Sequence, residues 1–190
     1  MWRFFFFIVL VAHSVFPAFA QDVERPRNVV VMVADGAGPS AYALTRRVLG
    51  RPLVQDAYLS GTIATTSTSH EITDSAAGAT AYACGVRTFK GAVGVDSNGT
   101  PCRTFLEAAE ASGMASGLVT TAYLADATPG SFAAHAVSRE EKSSIAEQML
   151  GQEIDVLLGG GLVHFLPRPD GARSDGRNLL AEAREAGYDV

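Results

Sequence analysis

The sequence predicts an α/β fold, with a mainly parallel sheet flanked by helices. The run Asn28-Val29-Val30-Val31-Met32-Val33-Ala34 is short, continuous and rich in β-branched residues, the pattern of a strand buried on both faces. Helical and strand-like stretches then alternate along the chain, the order that βαβ units impose. Composition allows it: 190 residues at 47 % hydrophobic and 18 % charged suit a single packed domain and exclude a disordered or fibrous polymer.

The first strand, 28–34, runs into Asp35-Gly36-Ala37-Gly38-Pro39, whose glycines and proline demand a turn. A helix near 40–49 and a strand near 60–66 follow. Ser75 opens a small-residue helix over 75–84, and Ser97-Asn98-Gly99-Thr100-Pro101 marks a turn, which explains the glycosylation-like Asn98-Gly99-Thr100 without a glycan. The pattern then predicts a helix near 103–112, a strand near 117–122, a helix over 131–150 and a strand near 154–159 that enters Gly159-Gly160-Gly161. A last helix near 177–186 stops at Gly187, and Tyr188-Asp189-Val190 reads as an incoming strand. A sheet cut at that point has an unpaired edge, so the expectation is a fragment of a longer polypeptide.

At the other end, Arg3 precedes the apolar run 4–12, and Ala18-Phe19-Ala20 places small residues at the cleavage-determining positions. This predicts a signal peptide over 1–20 and a periplasmic or secreted product over 21–190 with no stable membrane span after cleavage, since spanning needs about 20 apolar residues. That compartment permits a disulfide, and Cys84 and Cys102 enclose seventeen residues. Cys84 equally suits a small buried hydrophobe in its Ala-rich helix, so both readings stand.

Fifteen Lys plus Arg against twenty Asp plus Glu give a formal charge of −5, which argues against nucleic-acid binding by phosphate neutralisation. Two cysteines exclude Cys-rich zinc modules. The chemistry therefore rests on oxygen ligands and a few cations. Asp35 stands at the C-terminal end of the first strand, where open α/β sheets bind ligands, although an Asp before Gly36 also caps turns. Ser75 at a helix start favours an attached anion through the exposed N–H groups and the helix dipole, and it is also an ordinary N-cap. No Gly-x-Ser-x-Gly or triad signature accompanies it, so metal activation is the better hypothesis for this weak nucleophile. Asp126 and Thr128 bring a carboxylate and a hydroxyl suited to magnesium, and Arg139 offers a planar guanidinium for phosphate. Their ordinary alternatives are helix caps and a surface arginine beside Glu140 and Glu141. The stretch Gly36-Ala37-Gly38-Pro39-Ser40-Ala41 formally fits a dinucleotide fingerprint, but Asp35 beside it opposes a pyrophosphate and Asp56 is misplaced for a ribose contact.

Taken together, Val33-Ala34-Asp35-Gly36, Thr73-Asp74-Ser75-Ala76-Ala77, Lys90-Gly91-Ala92-Val93-Gly94-Val95-Asp96, Asp126-Ala127-Thr128-Pro129, Ala134-His135-Ala136-Val137-Ser138-Arg139 and Val156-Leu157-Leu158-Gly159-Gly160-Gly161 resemble the alkaline phosphatase family over nearly all of 27–190. The resemblance implies an alkaline-phosphatase-like fold and a hydrolase of small-molecule phosphomonoesters that passes through a phosphoserine. It implies Ser75 as the phosphorylated nucleophile, Arg139 as the phosphate ligand and Asp74 as the residue that positions both. Asp35 would bridge zinc and magnesium, with Ser75 on the zinc, Thr128 on the magnesium and Asp126 supporting magnesium through water. Aspartate at 126 looks like the magnesium site of many bacterial members. The family's second half carries the remaining magnesium carboxylate and most zinc ligands, and His70, His135 and His164 match none of them. The chain is thus expected to be the N-terminal part of a catalytic domain, truncated and incomplete in its catalytic apparatus, from a parent for which a homodimer is one option, with its own activity open. The alternative is a noncatalytic phosphate- or magnesium-binding remnant.

Overall fold

The computed structural model describes residues 27–190, and the leader-like segment 1–20 lies outside them. The chain divides into two units, Met1–Val33 and Ala34–Val190. In the first, the described residues 27–33 hold no helix or strand, contrary to the expected strand over 28–34. A β-branched run becomes a strand only when a neighbour supplies the hydrogen-bond ladder, and none pairs with it among the described residues.

The second unit opens with α1 (Pro39–Leu49), which has proline at its first turn and ends on Gly50 at φ 63°. Arg46 reaches back from it to Asp56, at 2.7 Å through Nε, in the short 3₁₀ turn Val54–Tyr58. No residue of α1 is buried, and residues 60–66 form no strand, the second departure from expectation and for the same reason.

The core is built around α2 (Ser75–Cys84) and α4 (Ala127–Ala133). In α2, residues Ala76 through Ala81 and Ala83 are all buried, and α4 buries Ala127, Pro129, Gly130, Ser131, Phe132 and Ala133. A helix apolar on all sides belongs inside, and small side chains let two such helices approach closely. The polar atoms trapped between them find partners: the Thr80 hydroxyl lies 3.2 Å from both Ala92 O and Ser131 Oγ, and accepts from Gly94 N at 3.0 Å. Between these helices come α3 (Phe105–Glu110), opened by a Thr104/Glu107 capping box, and β1 (Gly117–Tyr123). Cys84 and Cys102 form a disulfide. Asp96 Oδ1 accepts from Asn98 N and Thr100 N at 2.8 and 2.9 Å, which fixes the predicted turn.

The expected single helix over 131–150 is two, α4 and α5 (Lys142–Gly151). The backbone between them is taken by the 91–94 segment: Val93 and Ala136 exchange hydrogen bonds at 2.9 Å, and Arg139 N donates to Gly91 O at 2.7 Å. Those groups cannot also serve a helix. Strand β2 (Val156–Gly160) pairs parallel to β1 with Gly117 opposite Val156 and Tyr123 opposite Gly160. The chain finishes with α6 (Leu179–Glu185), capped by Asn178, and with residues 188–190, which form no strand. Arg173, fully buried, ties the preceding loop to α5 through Ser143 O at 2.7 Å and Glu147 Oε2 at 3.4 Å. Among the described residues no helix is long and apolar enough to cross a membrane.

Candidate active site

Three elements begin or end at one place: the turn at Asp35, the N-terminus of α2 and the N-terminus of α4 just after β1. Both helix starts carry an aspartate cap for a local reason. Asp74 Oδ1 accepts from Ala77 N at 3.1 Å and Asp126 Oδ1 from Ala127 N at 2.8 Å, each satisfying a helix N–H that lacks an intrahelical partner. The caps aim the following hydroxyls, Ser75 and Thr128, at the same carboxylate. Ser75 Oγ donates to Asp35 Oδ1 at 2.9 Å and Thr128 Oγ1 to Asp35 Oδ2 at 2.6 Å.

Both caps also face Arg139, Asp74 through its free oxygen Oδ2 and Asp126 through the capping oxygen Oδ1 itself. Its guanidinium donates to Asp74 Oδ2 at 3.3 Å and to Asp126 Oδ1 at 3.0 Å, bridging the starts of α2 and α4. Asp74 Oδ1 also accepts from Gly91 N at 3.2 Å, and Gly91 O takes Arg139 N, so one glycine holds both partners of that ion pair. The structure therefore brings Asp35, Asp74, Ser75, Asp126, Thr128 and Arg139 into one cluster.

Burial alone would raise the Asp74 carboxyl, but the amides of Ala77 and Gly91 and the Arg139 guanidinium outweigh it and hold the pKa below its ordinary 3.8. For Asp126, likewise, burial is outweighed by the Ala127 amide, Arg139 and Lys142, and its pKa is lowered. Arg139 itself is raised, burial being overcome by Asp126 and Asp74. Asp74, Asp126 and Arg139 are thus all charged at neutral pH.

Sequence reading missed Lys142, Gly91 and Tyr82. Lys142 Nζ lies 3.8 Å from Asp126 Oδ1 and donates to Arg139 O at 3.2 Å. In the sequence it closes a charged run with Glu140 and Glu141 that reads as a solvated face. Tyr82 lies two turns along α2 from Ser75, and its phenol is pushed up by burial and by Asp35. Two histidines stand apart: His135 is held by Gly94 O at 2.5 Å and Glu107 Oε1 at 2.8 Å, and His70 by Ser69 Oγ at 2.8 Å, whereas the His164 pKa is lowered by burial and by Lys142, with Asp126 opposing.

The donor set decides which metals these residues suit. Asp35 and Thr128, with Asp126 nearby, offer hard oxygens, which fit magnesium. Toward zinc, Asp35 and Ser75 offer two oxygens, and no group of three or more His, Cys, Asp or Glu residues suited to a metal occurs among the described residues. These residues do not by themselves fit a zinc centre.

The alkaline phosphatase family model matches residues 26–190. The chain is 45 % identical over 176 residues to an alkaline phosphatase of Schizosaccharomyces pombe, covering 85 % of this chain and 33 % of that protein. Alkaline phosphatase 3 of Bacillus subtilis is 38 % identical over 203 residues, covering 96 % of this chain and 42 % of that one. Among solved structures, the alkaline phosphatase of the Antarctic bacterium TAB5 superposes with a TM-score of 0.70 at 33 % identity, over 82 % of this chain and 44 % of that chain. A variant of that enzyme, with a histidine replaced by aspartate and magnesium bound in its M3 site, superposes at 0.68 and 33 % identity, over 80 % of this chain and 42 % of that one. The chain spans between 33 % and 42 % of the length of these two curated relatives.

Proposed function

The chain belongs to the alkaline phosphatase family, and on that premise we propose that it hydrolyses phosphate monoesters, with Ser75 as the nucleophile and a phosphoserine as the intermediate. One observation carries the reading: the Ser75 hydroxyl, at the first position of α2 and hydrogen-bonded to Asp35, adjoins the Asp74 that holds Arg139.

Each residue has a physical task. Asp35 Oδ1 holds the Ser75 proton and thereby aims the oxygen lone pairs away from the carboxylate. Arg139 uses two of its five N–H donors on Asp74 and Asp126, and the others remain for two phosphate oxygens. Attack of Ser75 Oγ on phosphorus forms the O–P bond as the ester P–O bond breaks opposite it; the Ser75 proton passes through Asp35 Oδ1 to the departing alkoxide, which leaves as the alcohol, and Arg139 stabilises the charge on the equatorial oxygens. The phosphoseryl group then sits at the N-terminus of α2, where the dipole favours an anion. Water then forms the new O–P bond as the Ser75 Oγ–P bond breaks, and one of its protons returns through Asp35 Oδ1 to Ser75 Oγ as inorganic phosphate leaves. Asp35 and Thr128, with Asp126 alongside, would hold magnesium, which supplies positive charge against the phosphate oxygens. Asp35 and Ser75 do not by themselves complete a zinc centre. The leader pattern at 1–20 supports an extracytoplasmic working place.

The test is acid-quench labelling of the chain with a radioactive phosphate ester in the presence of magnesium and zinc. The protein is expected to acquire acid-stable label that Ser75→Ala abolishes and Arg139→Ala reduces. Equal labelling of the Ser75→Ala protein refutes the nucleophile assignment. Absence of label together with Arg139-dependent phosphate binding selects the alternative, a binder without turnover.

A further inference from the structure

The phosphate site has a charge problem. Arg139 lies between Asp74 and Asp126, so two carboxylates face one guanidinium, and the trio is net negative where a phosphate dianion has to enter. Asp35, on the Ser75 side, adds to the repulsion. Among the described residues, the one further cation in contact with the trio is Lys142, at the first position of α5. Its side chain is 18 % exposed and its Nζ donates to the Arg139 carbonyl at 3.2 Å while lying 3.8 Å from Asp126 Oδ1. Its other carboxylate neighbour, Glu140 at 3.6 Å, is 77 % exposed, so water screens that pair more than the pair with the less exposed Asp126.

We propose that Lys142 is a positioning residue of the phosphate site: it neutralises Asp126 and fixes the Arg139 backbone, so that the guanidinium is free to donate to phosphate. The inference rests on the reading of Arg139 as the phosphate ligand. It assigns Lys142 no contact with substrate. Its charge acts through Asp126, which otherwise both repels the incoming dianion and competes with it for Arg139. A lysine suits the task because its compact ammonium reaches a carbonyl and a carboxylate at once without presenting a second planar fork to the phosphate.

The experiment measures binding of radiolabelled inorganic phosphate to the 190-residue chain in magnesium by equilibrium dialysis, with near-UV circular dichroism as the check on folding. Arg139→Ala is expected to remove binding. Lys142→Met, which keeps the apolar stem, is expected to weaken it about tenfold, the scale of one partly buried charge contact. Lys142→Arg, which keeps the charge, should recover to within about threefold of the parent. The deciding protein is Asp126→Asn combined with Lys142→Met. With no carboxylate left to neutralise, it should bind phosphate several-fold better than Lys142→Met alone, a rescue that loss of packing around the lysine stem does not produce. Parent-like affinity in Lys142→Met, or no rescue in the double variant, overturns the inference while leaving the Arg139 assignment intact. Absence of Arg139-dependent phosphate binding in the parent overturns both.

Discussion

Replacing Asp74 separates the structural and electrostatic work of one side chain, because its two oxygens have different partners. Oδ1 accepts from Ala77 N and Gly91 N, and Oδ2 accepts from Arg139. Asp74→Ala removes the cap of α2, about 1 kcal/mol. It leaves the Gly91 amide without its acceptor, about 1 kcal/mol more. It also breaks an ion pair whose side chains are 14 % and 27 % exposed, worth about 1 kcal/mol after screening. The expected loss is about 3 kcal/mol. Asp74→Asn keeps an oxygen for both amides and loses only the pair, so about 1 kcal/mol. With a urea m-value of about 2 kcal/mol/M, the midpoint should fall by about 1.5 M for alanine and about 0.5 M for asparagine. The pH dependence has a definite sign. The folded carboxyl titrates below its ordinary 3.8, so its stabilisation is complete above that value and disappears as pH falls through the lower folded value. The gap between parent and Asp74→Asn should therefore close in strong acid. Equal midpoints for the alanine and asparagine proteins at neutral pH would refute the division of labour between the two oxygens.

Replacing both Cys84 and Cys102 by alanine should cost about 3 kcal/mol, the chain-entropy value for a loop of this length, and should abolish the reductant sensitivity of the unfolding curve. Gly94→Ala should destabilise by about 3 kcal/mol or more, or prevent folding. Gly94 has φ 59°, and a Cβ there would lie 2.1 Å from Ala134 O, at the junction that holds the 134–139 backbone, so expression yield and thermal unfolding report the damage.

Much of this site was legible in the sequence because its signals are local. Helix α2 spans the expected 75–84, although its N-cap is Asp74 and not Ser75; Gly85 at φ 73° closes the other end, and both stops act through contacts within a single turn. The hydroxyls of Ser75 and Thr128 stand one and two positions after their caps for the same reason, whereas Asp35 stands out in the sequence as the end of a strand over 28–34 that does not form. The parallel pairing of β1 with β2 likewise follows from the helices that alternate with them.

What tertiary structure decided is everything that needs a partner distant in the chain. The apolar runs at 28–34 and 60–66 have strand composition, but composition supplies no ladder, and neither run forms a strand. The residues of 131–150 favour a helix throughout, yet the 91–94 segment captures the backbone from Ala136 to Arg139, and that capture turns Arg139 toward Asp74 and Asp126. Cys84 in an Ala-rich helix reads equally as a buried thiol or as half of a disulfide, and only the return of the chain at Cys102 decides between them. Lys142 looks like part of a solvated charged run until the same loop brings it against Asp126. Short-range propensity sets where elements start and which side chains cap them, whereas hydrogen bonds and ion pairs between remote segments set which of those side chains meet.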